Sequence, residues 1–167
     1  MISKNFRTGS IVLSYNRDAA PSDGQGSTTM DNTVNLTATK DFTRRLNGMF
    51  TAYYSTSKSV SGNRIDDKDW GITLSSRYQF SRQLTGDISG SFIRQNSRGG
   101  IGSLIVYQGR GTGDTANYRG RVGVDYSLRP NWSIFSSYSY YQQNALNSSA
   151  QDIDDNLITV GTRVTWF

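Results

Sequence analysis

Apolar side chains recur at every second position along this chain, a period that marks half-buried β-strands rather than helices. Gly9, Ile11, Leu13 and Tyr15 alternate with Thr8, Ser10, Val12 and Ser14. Val34, Leu36, Ala38 and Phe42 alternate with Asn35, Thr37, Thr39 and Asp41. The pattern continues through Leu46–Tyr54, Trp70–Phe80, Leu84–Phe92, Tyr118–Leu128, Trp132–Tyr140 and Ile158–Trp166, which makes eight predicted strands. Short polar turns join the second to the third (43–45), the fourth to the fifth (81–83) and the sixth to the seventh (129–131). The other connections, at about 17–31, 56–69, 94–117 and 142–156, are long and rich in Ser, Gly, Asn and Asp, so they read as loops. Strands of ~10–11 residues match the ~9–11 residues needed to cross a bilayer as tilted strands.

A hairpin repeat is centred on the short turns. Phe42-Thr43-Arg44-Arg45-Leu46, Phe80-Ser81-Arg82-Gln83-Leu84 and Leu128-Arg129-Pro130-Asn131-Trp132 can be laid over one another. The repeated unit predicts an up-and-down meander, with no composition break to divide 1–167 into domains. The fold expected is all-β: a single-domain, eight-stranded antiparallel up-and-down transmembrane β-barrel.

Three features turn the apolar face toward lipid. The polar face carries charges at strand centres, Arg77, Asp87, Arg119, Arg121, Asp125 and Arg163, which inside a barrel would neutralise one another across the lumen. Aromatic residues flank the apolar rows: Tyr15, Phe42, Tyr54, Trp70, Tyr78, Phe80, Phe92, Tyr118, Tyr126, Trp132, Tyr138, Tyr140 and Trp166. Two such belts suit the headgroup zones on the two sides of a bilayer. Short turns at one end and long loops at the other match periplasmic turns and extracellular loops. A soluble up-and-down ligand-binding barrel, with the apolar face inward, is the competing architecture.

The C-terminal stretch Thr159-Val160-Gly161-Thr162-Arg163-Val164-Thr165-Trp166-Phe167 resembles the assembly signal of Gram-negative outer-membrane β-barrels. Thr159, Gly161, Val164 and Trp166 fit its slots, with Phe167 as the terminal aromatic, although Phe167 has the opposite parity to Trp166. In architecture the chain resembles small barrels of the OmpA/OmpX type. The resemblance implies a bacterial outer-membrane location, contact with membrane lipid and lipopolysaccharide, and insertion by the barrel-assembly machinery. Tyr126-Ser127-Leu128-Arg129-Pro130-Asn131-Trp132-Ser133 is similar to larger barrels of surface-polysaccharide systems, which implies part of a wider barrel.

Composition removes most chemistry. The 167 residues include neither Cys nor His, which excludes disulfides, thiolate metal sites, cysteine nucleophiles and the usual general base. No run of apolar residues is long enough for a transmembrane helix, and Met1–Arg7 lacks the apolar centre of a signal peptide, so an exported protein would be a mature or trimmed chain. The net charge of +5 is scattered, without a nucleic-acid-binding module. Asp66, Asp67 and Asp69, with Asp152, Asp154 and Asp155, lack the spacing of a calcium loop and read as solvated charge.

Gly99-Gly100 and Gly109-Arg110-Gly111-Thr112-Gly113 lack the strand–loop–helix setting of phosphate-binding loops. Ile101–Tyr107 is an apolar stretch inside the longest loop, read as a hairpin extension, a cover over the barrel mouth or a partner-binding edge. Arg44, Arg45, Arg82 and Arg129 sit at the short turns, either solvated or facing anionic headgroups or a periplasmic partner. Neither a cofactor nor a metal is expected, and the protein is read as a non-enzyme. Eight strands leave an interior that side chains fill. The expected function is therefore a structural or surface-interaction barrel, its four long loops meeting a protein or glycan partner. A transport component, as a narrow pore or part of a polysaccharide-export barrel, is the alternative.

Overall fold

A computed structural model of the chain describes residues 1–21, 28–59, 66–98, 114–146 and 152–165. They form one antiparallel sheet of nine strands in sequence order: β1 (Ile2–Phe6), β2 (Gly9–Pro21), β3 (Thr28–Asp41), β4 (Leu46–Ser59), β5 (Asp66–Gln79), β6 (Leu84–Arg98), β7 (Asp114–Arg129), β8 (Trp132–Ala145) and β9 (Ile153–Val164). The meander is as expected, but the strand count and the closure differ from the sequence reading. Among the described residues there are nine strands instead of eight, and β1 and β9 lie at opposite edges without pairing to each other. The additional strand is β1, where Ile2, Lys4 and Phe6 oppose Leu13, Ile11 and Gly9.

The strands are also longer than the apolar pattern indicates. From β2 onward they run 12 to 16 residues, so much of what reads as loop is hairpin. The cause is the loss of alternation above the bilayer, where both sheet faces meet water and nothing selects one face for apolar residues.

The register sorts the side chains onto two faces without a slip from β1 to β7. Ile11, Leu36, Phe50, Ile72, Ile88, Val122, Tyr138 and Ile158 share the apolar face. Ser10, Thr37, Thr51, Thr73, Ser89, Arg121, Ser139 and Thr159 share the other.

Among the described residues Ala116 is the one buried hydrophobic residue, while Ile158 is 73% and Leu74 64% exposed. A soluble barrel would enclose its apolar rows, because burial in a packed interior is what stabilises it in water. This sheet leaves them uncovered over its whole width, as a lipid-facing surface requires. The soluble reading is therefore set aside.

Two of the three predicted repeat turns are copies of each other. Thr43 Oγ1 accepts from the N–H of Arg45 (3.2 Å) and Leu46 (3.0 Å), and Ser81 Oγ accepts from Gln83 (3.2 Å) and Leu84 (3.0 Å). Leu46 O takes the Phe42 N–H at 2.9 Å, and Leu84 O takes that of Phe80 at 3.0 Å. The third turn departs. Arg129 pairs directly with Trp132, with a register shift between Ser127 and Arg129. Pro130 has no N–H to give and a fixed φ, which suits a two-residue turn.

Candidate functional site

The polar face collects all six strand-centre charges predicted from the sequence. Arg77 stands opposite Asp87 on β6. The Asp87 carboxylate leans toward β7, where a β-carbon on Gly123 would lie 2.7 Å from its Oδ1. Arg121 is flanked in the ladder by Ser89 and Ser139. Together Arg77, Asp87, Ser89 and Arg121 line a hollow that also includes Ser75 and Asn47.

Two further arginines rest against aromatic rings. The Arg119 guanidinium lies 5.5 Å from the Tyr141 ring centre and that of Arg163 5.6 Å from Phe135, within the range of cation–π attraction. Arg163 also approaches Asp125 at 3.8 Å, although its side chain is 67% exposed. Tyr141 is fixed in turn by donating to Asn117 Oδ1 (2.9 Å) or Gln143 Oε1 (2.8 Å). Among the described residues the contacts of these six charges are local ones along β5 to β9.

Acidic groups occupy the same face farther along the hairpins. Asp67 and Asp69 face it from β5, next to β4 residues Ser57 and Ser55. Asp31, on β3, accepts a hydrogen bond from Ser57 Oγ. Asp66 is the ladder partner of Lys58 on β4. Asp152 caps the Ala145 N–H at 2.8 Å. Asp154, on the apolar face with Tyr140, accepts a hydrogen bond from the Tyr140 hydroxyl at 3.5 Å, while Asp155 is the ladder partner of Tyr141 on the polar face. Among the described residues no three such side chains converge on a point that could hold a metal ion.

The aromatic positions lie on the apolar face and form contacts near both ends. Trp70 and Phe92 are 5.1 Å apart, Phe92 and Tyr118 4.9 Å, and Tyr78 and Phe80 4.8 Å in an edge-to-face pair. Hydroxyls point to polar neighbours: Tyr15 donates to Asn32 at 2.9 Å, Tyr138 to Asn156 at 2.5 Å and Tyr126 to Gln83 at 3.4 Å. Tyr54 and Trp70 are direct ladder partners, Tyr140 faces Gly120, and Trp132 faces Val164.

In the C-terminal stretch, Thr159 and Gly161 lie on the polar face and Val164 on the apolar one. Gly161 has a packing reason: a β-carbon there would sit 2.6 Å from the Phe135 ring. Trp166 and Phe167 lie outside the described residues, as do Gly99-Gly100, Ile101–Tyr107 and the Gly109–Gly113 run.

Parity alone could have located several participants that no motif announces. Tyr53, Phe135 and Tyr141 carry aromatic rings onto the polar face, and Arg17, Lys58, Lys68 and Arg94 carry charge onto the apolar one. Arg94 is paired with Asp114 through two hydrogen bonds, from Nε to Oδ1 at 3.0 Å and from Nη2 to Oδ2 at 2.6 Å.

No protein-family model matches the sequence, and no curated protein matches it. Solved structures do. The loop-L8 deletion mutant of OmpT, an outer membrane protein of Vibrio cholerae, is similar to this chain with a TM-score of 0.68 at 12% identity over 98% of the chain. Outer-membrane expressed OmpT of the same organism gives a TM-score of 0.66 at 13% identity. A trimer form of in-vitro folded OmpT gives 0.67 at 13% identity. The match takes in 51% to 54% of those chains, so this chain spans about half their length. At this identity the likeness is one of fold: an antiparallel outer-membrane barrel. With the uncovered apolar face and its aromatic ends, it places the chain in a bacterial outer membrane.

Proposed function

We propose that this chain is a stretch of the wall of a wide outer-membrane barrel whose polar face lines an aqueous path for solutes. The observation that carries the reading is the open nine-stranded sheet, with β1 and β9 as free edges. A lumen filled by side chains is a property of closure at about eight strands. Nine strands that have not met leave no reason for the interior to be filled. The solved barrels of which this sheet covers about half support the wider lumen. Hydroxyls and guanidinium groups then face water instead of a dry centre, which removes the cost of burying Arg119 and Arg121.

The role is transport by diffusion or passage along the wall, without catalysis. Without His or Cys the chain lacks the two most usual supports of an activated nucleophile, and its Ser, Asp, Arg and Lys residues show no diagnostic spacing. Strand hairpins that continue past the aromatic row carry the longer connections, which we assign to the external side. The C-terminal pattern ending at Phe167 supports insertion by the barrel-assembly machinery. The test is ion conduction by the full-length protein, purified in detergent and added to a planar lipid bilayer. Stable conductance steps are expected, and an electrically silent protein that has inserted would overturn the reading.

A further inference from the structure

Beyond the aromatic row at the long-connection end, the lipid-facing side of the sheet changes from rings to cations. Each step is two residues along a strand: Tyr15 to Arg17 on β2, Trp70 to Lys68 on β5, and Phe92 to Arg94 on β6. On β4 Tyr54 is followed by Thr56 and then Lys58. At ~3.3 Å per residue Arg17, Lys68 and Arg94 stand ~7 Å, and Lys58 ~13 Å, along the strand beyond their rings. Aromatic rings settle at the headgroup boundary, so these cations lie at the depth of the lipid phosphates.

The ladder brings them side by side. Lys68 is flanked by Thr56 and Asn96, with Lys58 and Arg94 as its diagonal neighbours on β4 and β5's other partner, β6. Arg17 continues the same row through Asn32, which pairs with Thr56. Asp114 is bonded to Arg94, and Asp66 is the ladder partner of Lys58. Even with both acids counted, the four cations leave this stretch of sequence net positive. On β7 and β8 the equivalent positions, Ala116 and Gln142, are uncharged, so the patch is local to β2–β6.

We infer that this patch binds the phosphorylated headgroup of a lipid in the adjoining leaflet, with Lys58 and Lys68 supplying charge and the Trp70–Phe92 pair supporting the acyl–headgroup boundary. A protein partner would need an apolar centre of its own at this height, whereas the ring row ends where the cations begin. A phosphate group matches both the charge and the depth. The inference rests on the lipid-facing assignment of the apolar face and not on conduction.

The test is native mass spectrometry of the full-length protein in detergent micelles with diphosphoryl lipid A as the probe. Retained adducts are expected on the wild type, and the Lys58→Gln/Lys68→Gln double variant should bind ~10–30-fold more weakly, from about 1 kcal/mol for each cation at an anionic surface. Arg44→Gln/Arg45→Gln, at the other end of the sheet, should bind as the wild type does. Inorganic phosphate at matched phosphorus should not displace the lipid. Equal binding by the double lysine variant, no adduct on the wild type, or full displacement by inorganic phosphate would each overturn the assignment. A protein that binds the lipid but passes no current would overturn the transport reading alone.

Discussion

The ring of Phe80 lies over Gly86, so close that a β-carbon there would come within 2.8 Å of its Cε2. Phe42 and Gly48 repeat the arrangement at 2.9 Å. Each aromatic stands just before a short turn and each glycine just after it, which seats the ring over the glycine at the short-turn end of the apolar face. Replacing Gly86 with Val lifts Phe80 from its seat and from Tyr78. The expected cost is ~1–3 kcal/mol, as for overpacking in a fitted site. Urea unfolding in lipid vesicles measures it, and Phe80→Leu/Gly86→Val should recover part of the loss.

The paired turns make a second prediction. Thr43 and Ser81 use one hydroxyl each to hold two backbone N–H groups. Thr43→Ala and Ser81→Ala should each cost about 1 kcal/mol, the net worth of such bonds. Thr43→Ser and Ser81→Thr should be neutral, because either hydroxyl performs the same role. Equilibrium unfolding of the four variants checks both halves of the statement.

Two ion pairs should behave differently. Arg163 and Asp125 meet at 3.8 Å with Arg163 67% exposed, so Arg163→Gln should leave stability unchanged within error. Asp114 is largely covered and bidentate with Arg94. Asp114→Asn removes a charge-assisted pair whose guanidinium is still partly solvated, and ~1 kcal/mol is expected. Raising salt should narrow that difference, which unfolding at two ionic strengths will read.

The two faces differ in what they tolerate. Val122 and Ser89 lie near the same level on adjoining strands but on opposite faces. Val122→Lys places a charge in lipid and should cost ~2–4 kcal/mol if it lies near the bilayer centre. Ser89→Lys reaches water and should change stability by less than ~1 kcal/mol. Refolding yield and urea midpoint in vesicles compare the two.

Much of the sheet was legible because membrane strands obey one strong rule, an apolar side chain at every second position. Ile72, Leu74, Val122 and Val124 announce their strands and their face together. What escaped notice was ruled by something else. Ile2, Lys4 and Phe6 alternate with Ser3 and Asn5, but five residues carry too short a signal to stand as a strand without β2 beside them. The upper hairpins, such as Thr28–Thr33 with its lone Met30 and Asp67–Asp69, carry polar or charged residues on both faces and no sustained apolar period. Strand number and closure depend on the total set of pairings, which no local segment encodes. The Phe80–Gly86 contact was hidden for a related reason, since Gly86 reads only as a small residue on the apolar face of its strand until the ring is seen above it. Of the charges, parity assigned Arg77, Asp87, Arg119, Arg121, Asp125 and Arg163 to one face, but their separate partners depend on side-chain directions that the sequence does not carry.

The direct test of the account is the environment of alternate residues along one strand. The chain has no cysteine, so single-cysteine variants from Tyr118 to Asp125 can each carry one nitroxide label in lipid vesicles. Electron paramagnetic resonance should show oxygen, which partitions into lipid, relaxing labels at 118, 120, 122 and 124. A water-soluble nickel chelate should relax those at 119, 121, 123 and 125. Oxygen and nickel profiles that rise and fall together, or that exchange places, would contradict a sheet with its valines in the bilayer and its arginines in water.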